Sequence, residues 1–427
     1  MQVDLPNIEQ KYYPLITGLL LALLSFYYLW VSIARPSRNS RSKLRPPEVA
    51  GSWPIVGHLP QLVGSTPLFK TLANMSEKYG PIFMVRFGMH PTLVVSSWEM
   101  SKECFTTNDK FLASRPPSAS AKYLAYDHAM FGFSFYGPYW RETRKISTLQ
   151  LLTHKRLESL KHIPYSEINS CVKTLYTRWA KTQSQIKQNV PGAAEDFVKV
   201  DMTEMFGHLT LNVVLRFVVG KPVFIQKDNY EDDTNDCHKE EELEGLKLHK
   251  TIVEFFELSG ASVASDVLPY LGWLDVDGQK KRMKKISKEM DSIAEKWLEE
   301  HRQKRRLQPL SDPASIEINH DDENDFMAVL LSVLDEGKDD LFFGYNRDIV
   351  IKATCLTLIL AGRRMCPGIN FAAQTLHMTL ARLLHAFDFD YESNGLVIDM
   401  TEGSGLTMPK VTPLEVHLRP RLLITLY

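Results

Sequence analysis

Cysteine is scarce and unpaired in this sequence. The five cysteines, Cys104, Cys171, Cys237, Cys355 and Cys366, are scattered over 427 residues and form no CxxC pair. That excludes a disulfide framework and a structural zinc site, and it fits a reducing compartment. An excess of charge is missing too: 50 Lys and Arg stand against 51 Asp and Glu, a formal net charge of −1. Without a basic field the chain does not read as a nucleic-acid binder. Low-complexity tracts and internal repeats are absent, and 44% of the residues are hydrophobic. That balance excludes wholesale disorder and supports a folded core.

A charge-free run long enough for a bilayer occurs at Tyr12 to Ala34. About 20 apolar residues span the hydrocarbon core as one helix. Asp4, Glu9 and Lys11 precede the run, and Arg35, Arg38, Arg41, Lys43 and Arg45 follow it. The basic side stays cytosolic, which places the short N-terminus in the lumen and the body in the cytosol. A cleaved signal peptide is the alternative; the leading segment is not basic and the run is long for one. Three regions follow: the luminal N-terminus and anchor at 1–34, a basic hinge rich in Pro and Gly at 35–60, and a body at 61–427.

The body reads as mainly α with a small β-sheet. Ile82 to Phe87 and Thr92 to Val95 form a hairpin around a Gly88 to Pro91 turn. Ser97 caps a helix over Trp98 to Thr106. Met283, Ile286, Met290, Ile293 and Trp297 mark one face of a helix from Gln279 to Arg305. Its Lys- and Arg-rich opposite face reads as solvated rather than as a binding patch. Asp232 to Glu244 and Gln308 to Glu323 read as loops, and Phe326 to Leu334 as a helix. Asp236, Cys237 and His238 are adjacent ligand types, but no partner cluster lies at metal-ligand spacing.

The chemistry concentrates near the C-terminus, in Gly362-Arg363-Arg364-Met365-Cys366-Pro367-Gly368. A thiolate needs positive charge or amide donors nearby to lower its pKa. Two arginines precede Cys366, and a helical run from Phe371 to Leu384 follows, so the cysteine sits just ahead of a helix N-terminus. A lone cysteine is more often a small core residue; the whole G-R-R-x-C-P-G string favours a metal ligand. Trp140 and Arg144 lie four apart on one helical face. Indole N–H and guanidinium side by side suit carboxylates, haem propionates among them, although such a pair also fits ordinary packing.

With these residues in hand the chain resembles the cytochrome P450 family, the haem-thiolate monooxygenases, in its membrane-anchored plant form. The anchor, the Pro/Gly hinge, Phe111-Leu112-Ala113-Ser114-Arg115-Pro116, the Trp140/Arg144 helix, the Cys366 loop and Gly405-Leu406-Thr407-Met408-Pro409-Lys410 occur in family order. The resemblance implies a P450-like fold with haem b as cofactor and Cys366 as axial iron ligand. Arg364, Trp140 and Arg144 would contact the propionates. It implies insertion of one oxygen atom from O2 into a small apolar substrate, a terpenoid, alkaloid or phenylpropanoid of plant specialised metabolism. Electrons would come from NADPH through a flavoprotein reductase on the same endoplasmic reticulum membrane.

One departure from the family is large. The central helix that in the family carries Ala/Gly-Gly-x-Asp/Glu-Thr is recognisable from Asp348 to Gly362, then passes directly into Arg363. The acid and hydroxyl that relay protons have no counterpart there; Thr354 and Thr357 lie one to two turns earlier. The segment expected between Gly362 and Arg363, on the order of a hundred residues, is missing, and the Glu-x-x-Arg helix with it. Glu299 and Arg302 match that pattern but precede the central helix, and read as a surface pair. The alternative to a working monooxygenase is thus a membrane-tethered, catalytically dead variant of an incomplete fold.

Overall fold

A computed structural model of the chain describes residues 17–28, 45–64, 66–189, 197–224, 236–261, 263–271, 273, 275, 278–307, 325–335, 344–359, 368–390, 398–403 and 407–423. The described chain divides into two compact units, residues 1–112 with 267–271, and residues 113–266 with 272–427.

In the first unit, residues 17–28 form a helix (α1) whose leucines are exposed. Among the described residues no helix is long and apolar enough to cross a membrane; the rest of the expected anchor, 12–16 and 29–34, lies outside them. Leu59–Leu62 (α2) and Leu68–Tyr79 (α3) precede an antiparallel hairpin of β1, Ile82–Phe87, and β2, His90–Val95. Phe87 pairs with His90 and Arg86 with Pro91, so the turn is the two residues Gly88 and Met89. That is tighter than a four-residue Gly88 to Pro91 turn. Pro91 is tolerated because β2 has no second neighbour strand among the described residues. Gly88 holds φ at 58°, and a Cβ there would meet the Val267 carbonyl.

The β1 face that buries Phe83 and Val85 packs on Val49 and Leu62. Buried His58 ties this segment down. Its Nδ1 accepts from the Arg86 amide at 2.9 Å, which leaves Nε2 as the donor to the Val49 carbonyl at 2.8 Å. Ser97 caps Trp98–Phe105 (α4) as expected, accepting from the Met100 amide at 3.2 Å. Asp109–Leu112 (α5) follows.

The second unit is mainly helical. Ala119–Tyr123 (α6), Pro138–Ile146 (α7) and His154–Ser159 (α8) lead into His162–Asn189 (α9) and Met202–Val219 (α10). Asp201 caps α10 through the Thr203 and Glu204 amides, and Gly220 ends it at φ 74°. Asp236–Gly260 (α11) corrects one expectation: Asp236 to Glu244 is helical rather than a loop. Two of its acidic residues face partners on Gln279–Leu307 (α13), where Lys296 reaches Glu244 at 3.1 Å and Arg282 reaches Glu254 at 3.0 Å. Acidic and basic stretches that look loop-like and solvated in isolation thus support each other as helices. The short Ala264–Val267 (α12) lies between them in sequence.

Phe326–Asp335 (α14), Arg347–Ile359 (α15) and Ile369–Ala386 (α16) complete the helices. The second expected loop, Gln308 to Glu323, lies outside the described residues. A three-stranded antiparallel sheet in the order β3-β5-β4 joins Val198–Asp201 (β3), Phe387–Asp390 (β4) and Glu415–Pro420 (β5). One hydrophobic core runs through this unit. It includes Met283, Ile286, Met290 and Trp297 of α13 and Val350, Ile351 and Leu356 of α15. Along α15, every residue from Val350 to Thr357 is buried.

Candidate functional site

Gly137 and Pro138 open α7, the proline at a first helical position where its missing N–H costs nothing. One turn in, Trp140 and Arg144 stand together on one face, both half-buried. The Arg144 guanidinium lies over the indole, 5.4 Å from the ring centroid. The Tyr136 ring also lies against the indole, tilted by 50° with the centroids 5.3 Å apart. The structure thus brings together two of the four residues singled out in the sequence. The other two, Arg364 and Cys366, lie outside the described residues.

The segment between α6 and α7 is fastened to the second unit's core by three phenols. Tyr126 donates to Asp291 of α13 at 2.9 Å, Tyr139 to the Ala129 carbonyl at 2.6 Å, and Tyr345 to the Asp127 carbonyl at 2.7 Å. Burial pushes the Tyr126 and Tyr139 hydroxyls far above the usual phenol range, reinforced at Tyr126 by the Asp291 carboxylate. Both remain neutral donors. Tyr126, Asp127 and His128 all hold positive φ, 50°, 49° and 70°, a run that non-glycine residues adopt only when their surroundings compel it.

This segment meets α15 at Gly132, where an added Cβ would touch the Thr357 methyl at 3.6 Å. The Thr357 hydroxyl donates back to the Ala353 carbonyl of its own helix at 2.6 Å. Thr354 is buried on the same helix.

Below them Lys352 is buried and salt-bridged to Asp291 at 2.6 Å and Glu295 at 2.8 Å. Burial lowers its proton affinity, and the hydrogen bonds it donates to the two carboxylates, with their charge, more than restore it. Sequence reasoning passed over Lys352. The available signal was a lone cation inside the apolar run from Ile349 to Ala361. Arg302 is also placed differently from its reading as a surface partner of Glu299: it pairs with Asp348 at the start of α15, while Glu299 faces Arg306.

The ends of α15 and α16 frame the Cys366 loop. The first stops at Ile359, and the second begins after Gly368 without a side-chain cap. Its first amides therefore have no intrahelical acceptors. Of the described cysteines, Cys355 is fully buried, which drives its thiol well above the ordinary value, with Asp325 adding to the shift. Cys171 is pushed up to about 12 by burial, then by Glu167. Neither supplies a thiolate at neutral pH.

The Cytochrome P450 family model matches residues 46–363 and 361–414. The chain belongs to the cytochrome P450 family. The match comes as two pieces that meet at 361–363, between the end of α15 and the start of α16 in the sequence.

Among relatives of this P450, flavonoid-6-hydroxylase of Ocimum basilicum is 32% identical, with 95% of this chain and 96% of the relative covered. That alignment runs over 546 positions against 427 residues here, so more than a hundred positions of the relative face no residue in this chain. Strychnine-10-hydroxylase of Strychnos nux-vomica is 42% identical over 81% of this chain, and the match spans 60% of that relative's length. A zebrafish cytochrome P450 solved with progesterone superposes with a TM-score of 0.46 at 19% identity, covering 70% of this chain and 56% of that one.

Family membership implies haem as cofactor, with NADPH electrons supplied through a reductase. The described donor set fits that group at one edge. An indole and a guanidinium one turn apart on α7 match the carboxylates of a propionate edge. On the other side of the break, α16 opens three residues past Cys366 with no side-chain cap among the described residues.

Proposed function

We propose that this P450 is a haem-thiolate monooxygenase of plant specialised metabolism, hydroxylating a small apolar molecule with electrons from an NADPH-dependent flavoprotein reductase. Bound haem would supply O2 activation. Cys366 would hold the iron, and Arg364, Trp140 and Arg144 the propionates. The observation that carries this reading is the family match through residue 414, with the Trp140/Arg144 pair assembled on α7. The relatives named above act on an alkaloid and a flavonoid by their names, which supports a substrate of that kind. Residues 12–34 would anchor the chain once in the endoplasmic reticulum membrane, with the body in the cytosol.

A second reading is favoured by the break at 361–363. The chain lacks the acid and hydroxyl that pass protons to O2 and the Glu-x-x-Arg brace of the cysteine loop. Thr357 does not replace them, since its hydroxyl is spent on Ala353. Under this reading haem is held weakly and turnover is absent. The reduced, carbon-monoxide-bound absorption spectrum tests the first step. A thiolate-type Soret band that Cys366→Ser abolishes supports ligation by Cys366, and an unchanged band in that variant refutes it. Product formation from alkaloid and flavonoid substrates with matched reductase then decides between the readings. Turnover near that of a full-length relative removes the second, and a bound haem without turnover removes the first.

A further inference from the structure

Among the described residues nothing covers the outer face of α16, and its large apolar side chains carry no charge. Ile369, Leu376, Leu380 and Leu384 are 57%, 56%, 41% and 58% exposed. With exposed Ala373 they lie within one narrow stripe of a 3.6-residue helix. The helix contains no Asp, Glu or Lys, and its one arginine, Arg382, bonds inward to Asn169 at 2.8 Å. A single exposed leucine is ordinary; a continuous stripe of this kind marks a contact surface. The bare face follows the break in the sequence. More than a hundred positions of flavonoid-6-hydroxylase have no counterpart in this chain, and the family match is interrupted just before α16 begins.

We propose that this face binds a second copy of the chain, with the two α16 helices antiparallel about a two-fold axis beside Leu376. The stripe is its own complement in that arrangement. A two-fold axis between Leu376 and His377 sets Ile369 opposite the partner helix's residue 384 and Ala373 opposite its residue 380, so a large side chain meets a small one midway along each half. It also brings residue 376 of the two copies side by side. Alanine at 373 lets the axes approach to about 8 Å. No like charges face each other, which a surface evolved to stay in water normally supplies. A stripe this size buries roughly 400 Å² per copy, about half of what a stable interface needs, so the dimer is weak and concentration-dependent.

The test uses the full chain in non-ionic detergent. Sedimentation from about 1 to 100 μM should show the protein mass moving from one copy toward two. Leu380→Asp, at an exposed position, should weaken association at least about tenfold. Under mild oxidation Leu376→Cys should form a disulfide-linked dimer beyond the background of the native cysteines. Ile369→Cys alone should not, because its two copies stand about 22 Å apart along the axis, whereas a mixture of Ile369→Cys and Leu384→Cys should link. A monomer at every concentration overturns the proposal. So does a dimer indifferent to Leu380→Asp, which points to the N-terminal segment, or self-linking of Ile369→Cys, which requires parallel helices. A monomer whose α16 stripe is labelled by a photoreactive lipid assigns the face to a lipid surface instead.

Discussion

The helices on either side of the break, α15 and α16, are both apolar and have opposite fates. From Val350 to Thr357, α15 buries every residue, including a lysine. In α16 only Thr379, Leu383 and Ala386 are buried, while four large aliphatic side chains face outward. The difference lies in what surrounds them. Around α15 stand α10, α13 and α14, all encoded before the break; α16 keeps α9 and β4 but follows the point where the relatives carry additional chain. Hydrophobicity sets what a helix can bury, and the presence of a partner sets what it does bury.

That comparison fails if the two helices contribute alike to stability. Leu356→Ala, at a position 1% exposed on α15, should cost about 2–5 kcal/mol through lost burial and the cavity left behind. Leu380→Ala on α16 should change stability by less than about 0.5 kcal/mol in dilute solution. Urea unfolding of both variants measures the contrast, and equal costs would mean that α16 is covered in solution.

A buried cation sharpens the same point. Removing both partners of Lys352, by Asp291→Ala with Glu295→Ala, should cost about 3 kcal/mol, because the ammonium is left inside without a counter-charge. Adding Lys352→Met should recover most of that loss. A further loss in the triple variant would show that the lysine's charge is not what the carboxylates answer.

The smallest expected effect is a pH dependence at the α13–α14 contact. His301 is buried, with Nδ1 2.6 Å from the Trp297 carbonyl and Nε2 2.8 Å from Asp325. Burial disfavours its charged form, but the Asp325 hydrogen bond and charge, with the Trp297 carbonyl, outweigh it and raise the pKa above the ordinary 6.5. A raised folded-state value stabilises fully below about pH 6.5 and is lost as pH rises through the folded value. Urea midpoints measured from pH 6 upward should therefore fall, and His301→Gln should flatten that decline.

Local patterns made much of the fold legible. The Ser97 cap, the hairpin at 82–95, the α13 periodicity and the helix after Gly368 all depend on neighbours within a turn or two. The errors share a different cause. Asp232 to Glu244 reads as an acidic loop, yet from Asp236 on it is helix, and α13 supplies Lys296 across from Glu244. Arg302 reads as a surface residue until Asp348, 46 positions away, closes on it. Of the candidate site, the Trp140/Arg144 pair was readable because one helical turn places both. The phenols that fasten the neighbouring segment were not, since their acceptors on other elements meet them only after folding.

By itself the sequence determined the family, through a cysteine loop whose meaning is carried by seven consecutive residues, and the place of the break. It also determined the helical content, because periodicity and capping act over a few residues. Only the tertiary structure decided that Lys352 sits inside and Leu380 outside, an inversion of what their side chains prefer. A side chain's burial depends on which surfaces fold against it: in this chain two carboxylates arrive at α15, while among the described residues nothing covers the outer face of α16.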